Sequence, residues 1–536
     1  MEISEAIALL ELTPDFDRIE LDSNYKRLSD IALDEENEAL YQLLKKARAL
    51  LLGNAAKKRE TPENPKFIEG KLVLRHLLAG SKNTLVTGPG GTGKSHILRK
   101  FAESLGSKSV AVVSFTGIAA MNVHGETVNS FFGFPAYSGL SFKDWSRMSP
   151  RARQKYQALD VLIVDEVSML SADALDAIDN KLREAKRVDA PFGGVRVILF
   201  GDPYQLPPVV KNTDELMYKK ILEKYPMGCW FFEAEVYEEA DFEIIELTTN
   251  HRADENNPDA GLFIDSLRKI RTGDVSDQVL ALFNNRVGKD PADSNYVTIV
   301  STNSEVDRIN KLNMDSLKTP LHSFECSARV FGSLASEELD WGKVTPVKTL
   351  ELRKGALVIF LKNDDQGSHV VDGESKPRWA NGGQGVVEGF TEDGQGVLVK
   401  VQTEGKTFVH TVYRSNWDEI EHTPVTRRLP SGAHKSDLEP KVVATYSQFP
   451  LKLAWALTVH KSQGQTYENM KFDPAGTFEA GQCYVALSRA TSFAGIGLIS
   501  PITKKQIKVN EAVQYFMANA KILHFGPKQP EFPAIN

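Results

Sequence analysis

Residues 83 to 103 read NTLVTGPGGTGKSHILRKFAE, and this stretch decides the fold. A β-branched run, TLVT, breaks into a glycine-rich turn, and the turn opens directly into an amphipathic helix. That order is the one a phosphate-binding loop requires. Its residues Gly88, Pro89, Gly90, Gly91, Thr92 and Gly93 let backbone amides approach phosphate oxygens. Lys94 reaches the β and γ oxygens, Ser95 supplies a magnesium ligand, and the helix N-terminus adds a favourable dipole.

Working outward, short apolar runs alternate with helical segments from about 63 to 240: TLVTG, SVAVVSF, VLIVDE and VRVILFGD. Such alternation predicts an α/β architecture, a parallel sheet with crossover helices. A second series begins with FEIIELTTN and YVTIVSTN and resumes at ATYSQFPLKLAWALTVHKSQG. Between them, from 351 to 440, GQGVVEGF, QGVLVKVQT and KTFVHTVYR alternate at period two between Gly and Asp turns, which predicts a small inserted β-barrel. The expected units are a helical appendage over 1–62, a first α/β domain over 63–240, a second over 241–350 and 441–510, the barrel, and a C-terminal tail over 511–536.

The chain of 536 residues is too long for one core. It is 41% hydrophobic and 25% charged, and its longest apolar runs, such as VLIV and VILF, are far shorter than a membrane span. The start, MEISEAIALLELTPDFD, lacks the pattern of a signal or transit peptide, so a cytoplasmic location is expected, nucleoid-associated if the source is bacterial or phage. Cys229, Cys326 and Cys483 are isolated thiols without metal or disulfide spacing. The net charge of −7 argues against an electrostatic coat on nucleic acid, yet from Lys441 to Lys508 eight basic residues face three acidic ones.

Three constellations carry chemistry. In VLIVDEVSM, Asp165 at a strand end suits a magnesium-bound water and Glu166 suits polarising an attacking water. In GDPYQLPPV, the strand RVILF delivers Gly201, Asp202 and Gln205 to the sheet edge. There an amide senses the γ-phosphate, and Pro207 and Pro208 stiffen the exit. Together with the phosphate loop these imply an NTPase.

The order GPGGTGKS, TGIAAMNVHGETVNSFFGF, VDEVSML, APFGGVRVILFGDPYQLPPV, LTTNHRAD, LRKGALVIFLKN with NGGQGVVEGF, ALTVHKSQGQT and GQCYVALSRATS resembles the PIF (petite integration frequency) helicases of superfamily 1B, relatives of the RecD and Dda helicases. The likeness covers roughly 65 to 500. It implies two RecA-like domains with ATP between them, single-stranded DNA across both, duplex or forked DNA as substrate, and 5′-to-3′ movement. It places Arg252 and Arg489 across the cleft from ATP and Gly464 against the nucleotide. Thr458, His460, Lys461 and Ser462 fall at the DNA face, with Thr116 and the loop through His124 as the first domain's counterpart.

Residues 135–157, with Phe142 and Trp145, occupy the place of a strand-separating wedge. Protein partners, if any, are assigned to residues 1–62. The sequence departs from its relatives in having no Gln between Gln42 and Gln154, where they carry one that reads adenine, and in having His251 where they carry an aromatic. Two readings stand beside the helicase: a nucleotide-dependent single-strand-binding switch without unwinding, and a RecD-like recombination subunit.

Overall fold

A computed structural model describes residues 65–525 except 107, 116–119, 121–122, 124, 135–147, 209–222, 253–258, 292–295, 332–345, 365–366, 372–373, 380, 404–405 and 429–433, together with 9–10, 24–29, 32, 40 and 43–47. Most of the appendage, residues 135–147 of the wedge, and Thr116 and His124 therefore lie outside the described residues. No helix among the described residues is long and apolar enough to cross a membrane.

The phosphate-loop strand Thr84–Thr87 sits inside a seven-stranded, all-parallel sheet. Its order runs Ile522–Leu523, Glu243–Glu246, Thr84–Thr87, Arg196–Phe200, Val161–Asp165, Val110–Ser114, Glu126–Thr127. Its central strands are continuous apolar runs because both faces are covered. Leu85, Leu162, Val164 and Leu199 enter one core, whereas Val86, Ile163, Ile198 and Phe200 enter the other.

Two elements join this sheet that periodicity placed elsewhere. Glu243–Glu246, expected with the second series, pairs in register with Thr84–Thr87. The stretch expected as a tail forms the helix Glu511–Asn519 and the strand Ile522–Leu523, and Phe516 stacks on Phe232 at 4.2 Å. Local periodicity identifies a strand but not its partner, and a parallel partner lies far away in sequence.

A second parallel sheet has the order Ala456–Thr458, Val297–Val300, Met470–Phe472, Ile496–Leu498. Its core centres on Ile299, Leu457, Phe472 and Leu487. The interruption is wholly antiparallel and wider than expected. Lys406–Val412, Val397–Thr403, Gln384–Phe390, Leu357–Phe360 and Leu451–Leu453 pair in that linear order, and closure into the expected barrel is not among these pairings.

From the interruption a long hairpin, Ser415–Arg428 with His434–Gln448, reaches back to the first sheet. There the Glu126 carboxylate accepts from the His422 backbone N–H at 2.5 Å and lies 2.7 Å from His422 Nδ1 and 3.6 Å from Lys155 Nζ. The Leu438 N–H donates to Ser109 Oγ at 2.9 Å. Burial alone would raise the Glu126 carboxyl, but the His422 hydrogen bond and the Lys155 charge hold it below its ordinary value.

Glu126→Gln should therefore cost about 3 kcal/mol, because it leaves the Lys155 ammonium buried without its anion. A carboxyl depressed in the folded state contributes stability above its unfolded value of 4.5 and loses it as pH falls through the folded value. The gap between variant and wild type, read from denaturation midpoints, should be full at pH 7 and close in acid. An unchanged midpoint at pH 7 would show the cluster to be neutral.

Candidate active site

The phosphate loop is held open by left-handed glycines at Gly91 (φ 87°) and Gly93 (φ 82°). A Cβ at Gly91 would meet Arg252 Cβ at 2.8 Å, so only glycine admits the neighbouring NHRAD segment so closely. That segment pairs with the loop through its backbone and amide: His251 N–H donates to Gly91 O at 2.8 Å and Asn250 Nδ2 to Gly90 O at 3.2 Å. Lys94 opens the helix Lys94–Glu103, and its ammonium donates to Gly88 O (2.6 Å) and Pro89 O (3.0 Å). Burial lowers it to about 8, partly offset by the charges of Asp202 and Glu166.

A cleft of about 420 Å³ lies over this loop. The first sheet contributes Gly90, Gly91, Thr92, Gly93, Lys94 and Ser95 from the loop, Asp165 and Glu166 from the end of Val161–Asp165, and Gln205 from the turn after Arg196–Phe200. From the NHRAD segment and the second sheet come Arg252, Gly464 and Arg489. His96 and Thr466, which sequence reasoning did not single out, complete the wall with His251, noted there only as a departure from the family pattern. Gly88 and Pro89 act at its base through the carbonyls that receive Lys94.

Glu166 stands in the left-handed region (φ 55°, ψ 47°), which turns its carboxylate off the strand and into the cleft, and its N–H donates to Asp165 Oδ1 at 3.0 Å. Burial pushes both carboxyls up. For Asp165 the Glu166 charge adds to this, while Lys94 pulls Glu166 back. Arg252 donates through Nε to Thr466 Oγ1 (2.8 Å) and through Nη1 to Ser488 O (2.5 Å). Arg489 donates to Val485 O and Ser488 Oγ, each at 2.8 Å. Burial lowers both guanidiniums, Arg252 to about 9 with the Arg489 charge contributing.

Two further residues span the cleft. Tyr484 OH accepts from Gly90 N–H at 2.9 Å and donates to Asp202 Oδ2 at 3.2 Å, and Arg271 grips the same carboxylate at 2.9 Å. Gln463 Nε2 donates to Glu166 Oε2 at 3.0 Å and to Gln205 Oε1 at 3.1 Å. The only sequence signal for either was its place beside a residue already chosen, Tyr484 before Arg489 and Gln463 beside Gly464.

At the other end of that segment the expected DNA residues divide. Thr458 and Ser462 are buried: Thr458 Oγ1 caps the turn by accepting from Lys461 N–H (3.2 Å), and Ser462 Oγ donates to Val459 O (2.8 Å). Both hydroxyls hydrogen-bond to their own backbone and are shielded from solvent in this structure. Lys461 is exposed, and His460 is part-exposed with Nε2 3.6 Å from Glu479.

Fold and cleft define a P-loop nucleotide-binding protein whose site is built from two parallel α/β sheets. The family profile for PIF1-like helicases matches residues 71–280. The ATP-dependent DNA helicase Pif1 of Bdellovibrio bacteriovorus is 30% identical over 433 residues, 79% of this chain and 85% of that one. Unliganded Pif1 from Bacteroides sp. superposes with a TM-score of 0.68 at 31% identity, over 84% of this chain and 96% of that one. The Bacteroides helicase in complex with ADP-AlF3 and single-stranded DNA gives 0.55 at 30% identity, over the same shares of 84% and 96%. The chain belongs to the PIF1-like helicase family, and its two parallel sheets are RecA-like. It is an enzyme, a helicase.

Proposed function

We propose that this helicase hydrolyses ATP to move 5′ to 3′ along single-stranded DNA and to unwind duplex or forked DNA. The observation that carries the reading is the composition of the cleft. Glu166 and Gln205 from one sheet are bridged by Gln463 from the segment after a strand of the other, and Arg252 and Arg489 converge on the phosphate loop. Turnover in such a cleft depends on how the two sheets stand relative to each other, and a motor needs that dependence. Kinship with a helicase solved on single-stranded DNA supports the choice of polymer. Membership of the family supports the polarity.

Ser95 and Asp165 would hold a magnesium ion. A hydroxyl and a carboxylate are hard oxygen donors, and magnesium takes one or two such protein ligands beside phosphate oxygens and water. When bound there, it would supply positive charge against the phosphate oxygens. Lys94 would bind the β and γ phosphates, Glu166 would orient and deprotonate the attacking water, and the two arginines would meet charge on the γ-phosphoryl. Outside the cleft, Lys461 and His460 would contact the strand, with Thr116 and His124 as counterparts in the first unit.

Matched duplexes carrying a 5′ or a 3′ single-stranded tail test this directly. ATP-dependent displacement of the 5′-tailed substrate alone is expected, with ATP turnover strongly stimulated by the strand. Displacement from the 3′ tail would reverse the polarity. Stimulated hydrolysis without displacement on either substrate would leave a binding switch instead.

A further inference from the structure

The segment that supplies Gly464 has two working sides only two residues apart. On the outside, Lys461 is exposed; on the inside, Gln463 leaves the short helix Val459–Ser462 with φ −59° and ψ 140° and turns its amide into the cleft. Both hydrogens of that amide are used, one on Glu166 Oε2 at 3.0 Å and one on Gln205 Oε1 at 3.1 Å. The two hydrolytic groups of the first sheet are thus tied to each other through a residue of the second.

The turn between the two sides is stiff. Thr458 Oγ1 accepts from Lys461 N–H, Ser462 Oγ donates to Val459 O, and Gln465 N–H donates to Ser462 O at 3.1 Å. Gly464 follows at φ 77°, and a Cβ there would sit 4.0 Å from Glu166 Oε1, so the backbone itself passes close to the carboxylate. Glu166 needs the help, because a left-handed backbone aims its side chain but leaves the carboxylate tip to its partners.

We infer that Gln463 is a positioning residue, whose amide aligns Glu166 and Gln205 for hydrolysis from a turn, 459–464, that carries Lys461 on its outer face. The inference rests on the helicase reading above. It assigns the alignment of the two hydrolytic groups to one amide, with no chemistry of its own.

The test is steady-state ATP turnover of the full chain, with and without a thymidine oligonucleotide, for wild type, Gln463→Met and Gln463→Glu. Methionine keeps length and neutrality but cannot donate, and a hydrogen bond to a charged group lost in this way corresponds to about a 10- to 100-fold fall in strand-stimulated kcat. KM for ATP and oligonucleotide affinity should stay within about threefold, because Gln463 touches neither ligand in this assignment. Glutamate sets a second carboxylate against Glu166 and should fall further than methionine.

Unstimulated turnover should fall by a similar factor in both variants, because the same two hydrogen bonds align the site in either assay. A purely structural residue would instead lower thermal stability and oligonucleotide affinity together and make no distinction between Met and Glu. A wild-type kcat in either variant, or a raised KM with unchanged kcat, overturns the assignment. A wild type that the oligonucleotide fails to stimulate overturns the helicase reading instead, so the two failures are distinguishable.

Discussion

Replacing Arg489 by alanine is expected to slow strand-stimulated ATP turnover about 10³-fold while leaving ATP affinity within about tenfold. The side chain is 2% exposed, and its hydrogen bonds go to Val485 O, Ser488 Oγ and Gln465 O, none of them an anion. Arg252 lies beside it: a Cβ at Gly90 would stand 3.2 Å from a guanidinium nitrogen of each. Burial lowers both guanidiniums, with the Arg489 charge adding to the effect on Arg252, and the cost is relieved when an anion enters between them. The charge that grows on the γ-phosphoryl as it departs is such an anion, so Arg489 should stabilise the transition state more than bound ATP. Arg489→Lys should recover little, because a point charge cannot reproduce the planar fork. Turnover at saturating oligonucleotide and a titration with ATP separate the two effects. A variant with normal kcat and weakened ATP binding would make Arg489 a ground-state contact only.

How much of this was legible follows from where the information lies. The strands VLIVD and RVILF were readable because burial on both faces leaves an uninterrupted apolar run, and Lys94, Asp165, Glu166 and Gln205 were readable because they stand at the ends of such runs. The partner of Glu243–Glu246 was not, since nothing local distinguishes a strand of one parallel sheet from a strand of the next. The long hairpin was hidden for a different reason. His422, on the strand SNWDEIEHTPVTRR, and Leu438, on its partner strand, meet the first sheet, and nothing in either strand's own sequence names that surface. Thr458 and Ser462 show another ambiguity, because a hydroxyl that serves its own backbone looks, in sequence, like one offered to a ligand. Tyr484 and Gln463 act across the gap between the sheets, and a role that exists only between two elements leaves no mark in either one alone.

Lys94→Ala should abolish measurable ATP turnover, a loss of about 10³-fold or more, and should at the same time stabilise the nucleotide-free protein by about 1 kcal/mol. The ammonium is buried at the head of its helix and satisfied by the loop carbonyls of Gly88 and Pro89, which are weaker partners than phosphate oxygens. Burial has lowered it from 10.5 to about 8, so the charged form is held in the folded state at a cost. The sign of the linkage follows. Between about pH 8 and 10.5 the unfolded chain binds more protons than the folded one, so wild-type stability rises with pH across that window, and the cost is present in full only below it. The alanine variant should therefore denature at a higher midpoint than wild type at pH 7, and this advantage should shrink toward pH 10. Single-strand affinity should be little changed, because the exposed Lys461 lies on the far side of the turn from the loop. Denaturation at the two pH values, an oligonucleotide titration and a turnover assay on one variant test all three parts. A variant that hydrolyses ATP at the wild-type rate would remove Lys94 from the site, and one less stable than wild type at pH 7 would show that its carbonyl contacts outweigh the cost of burying its charge.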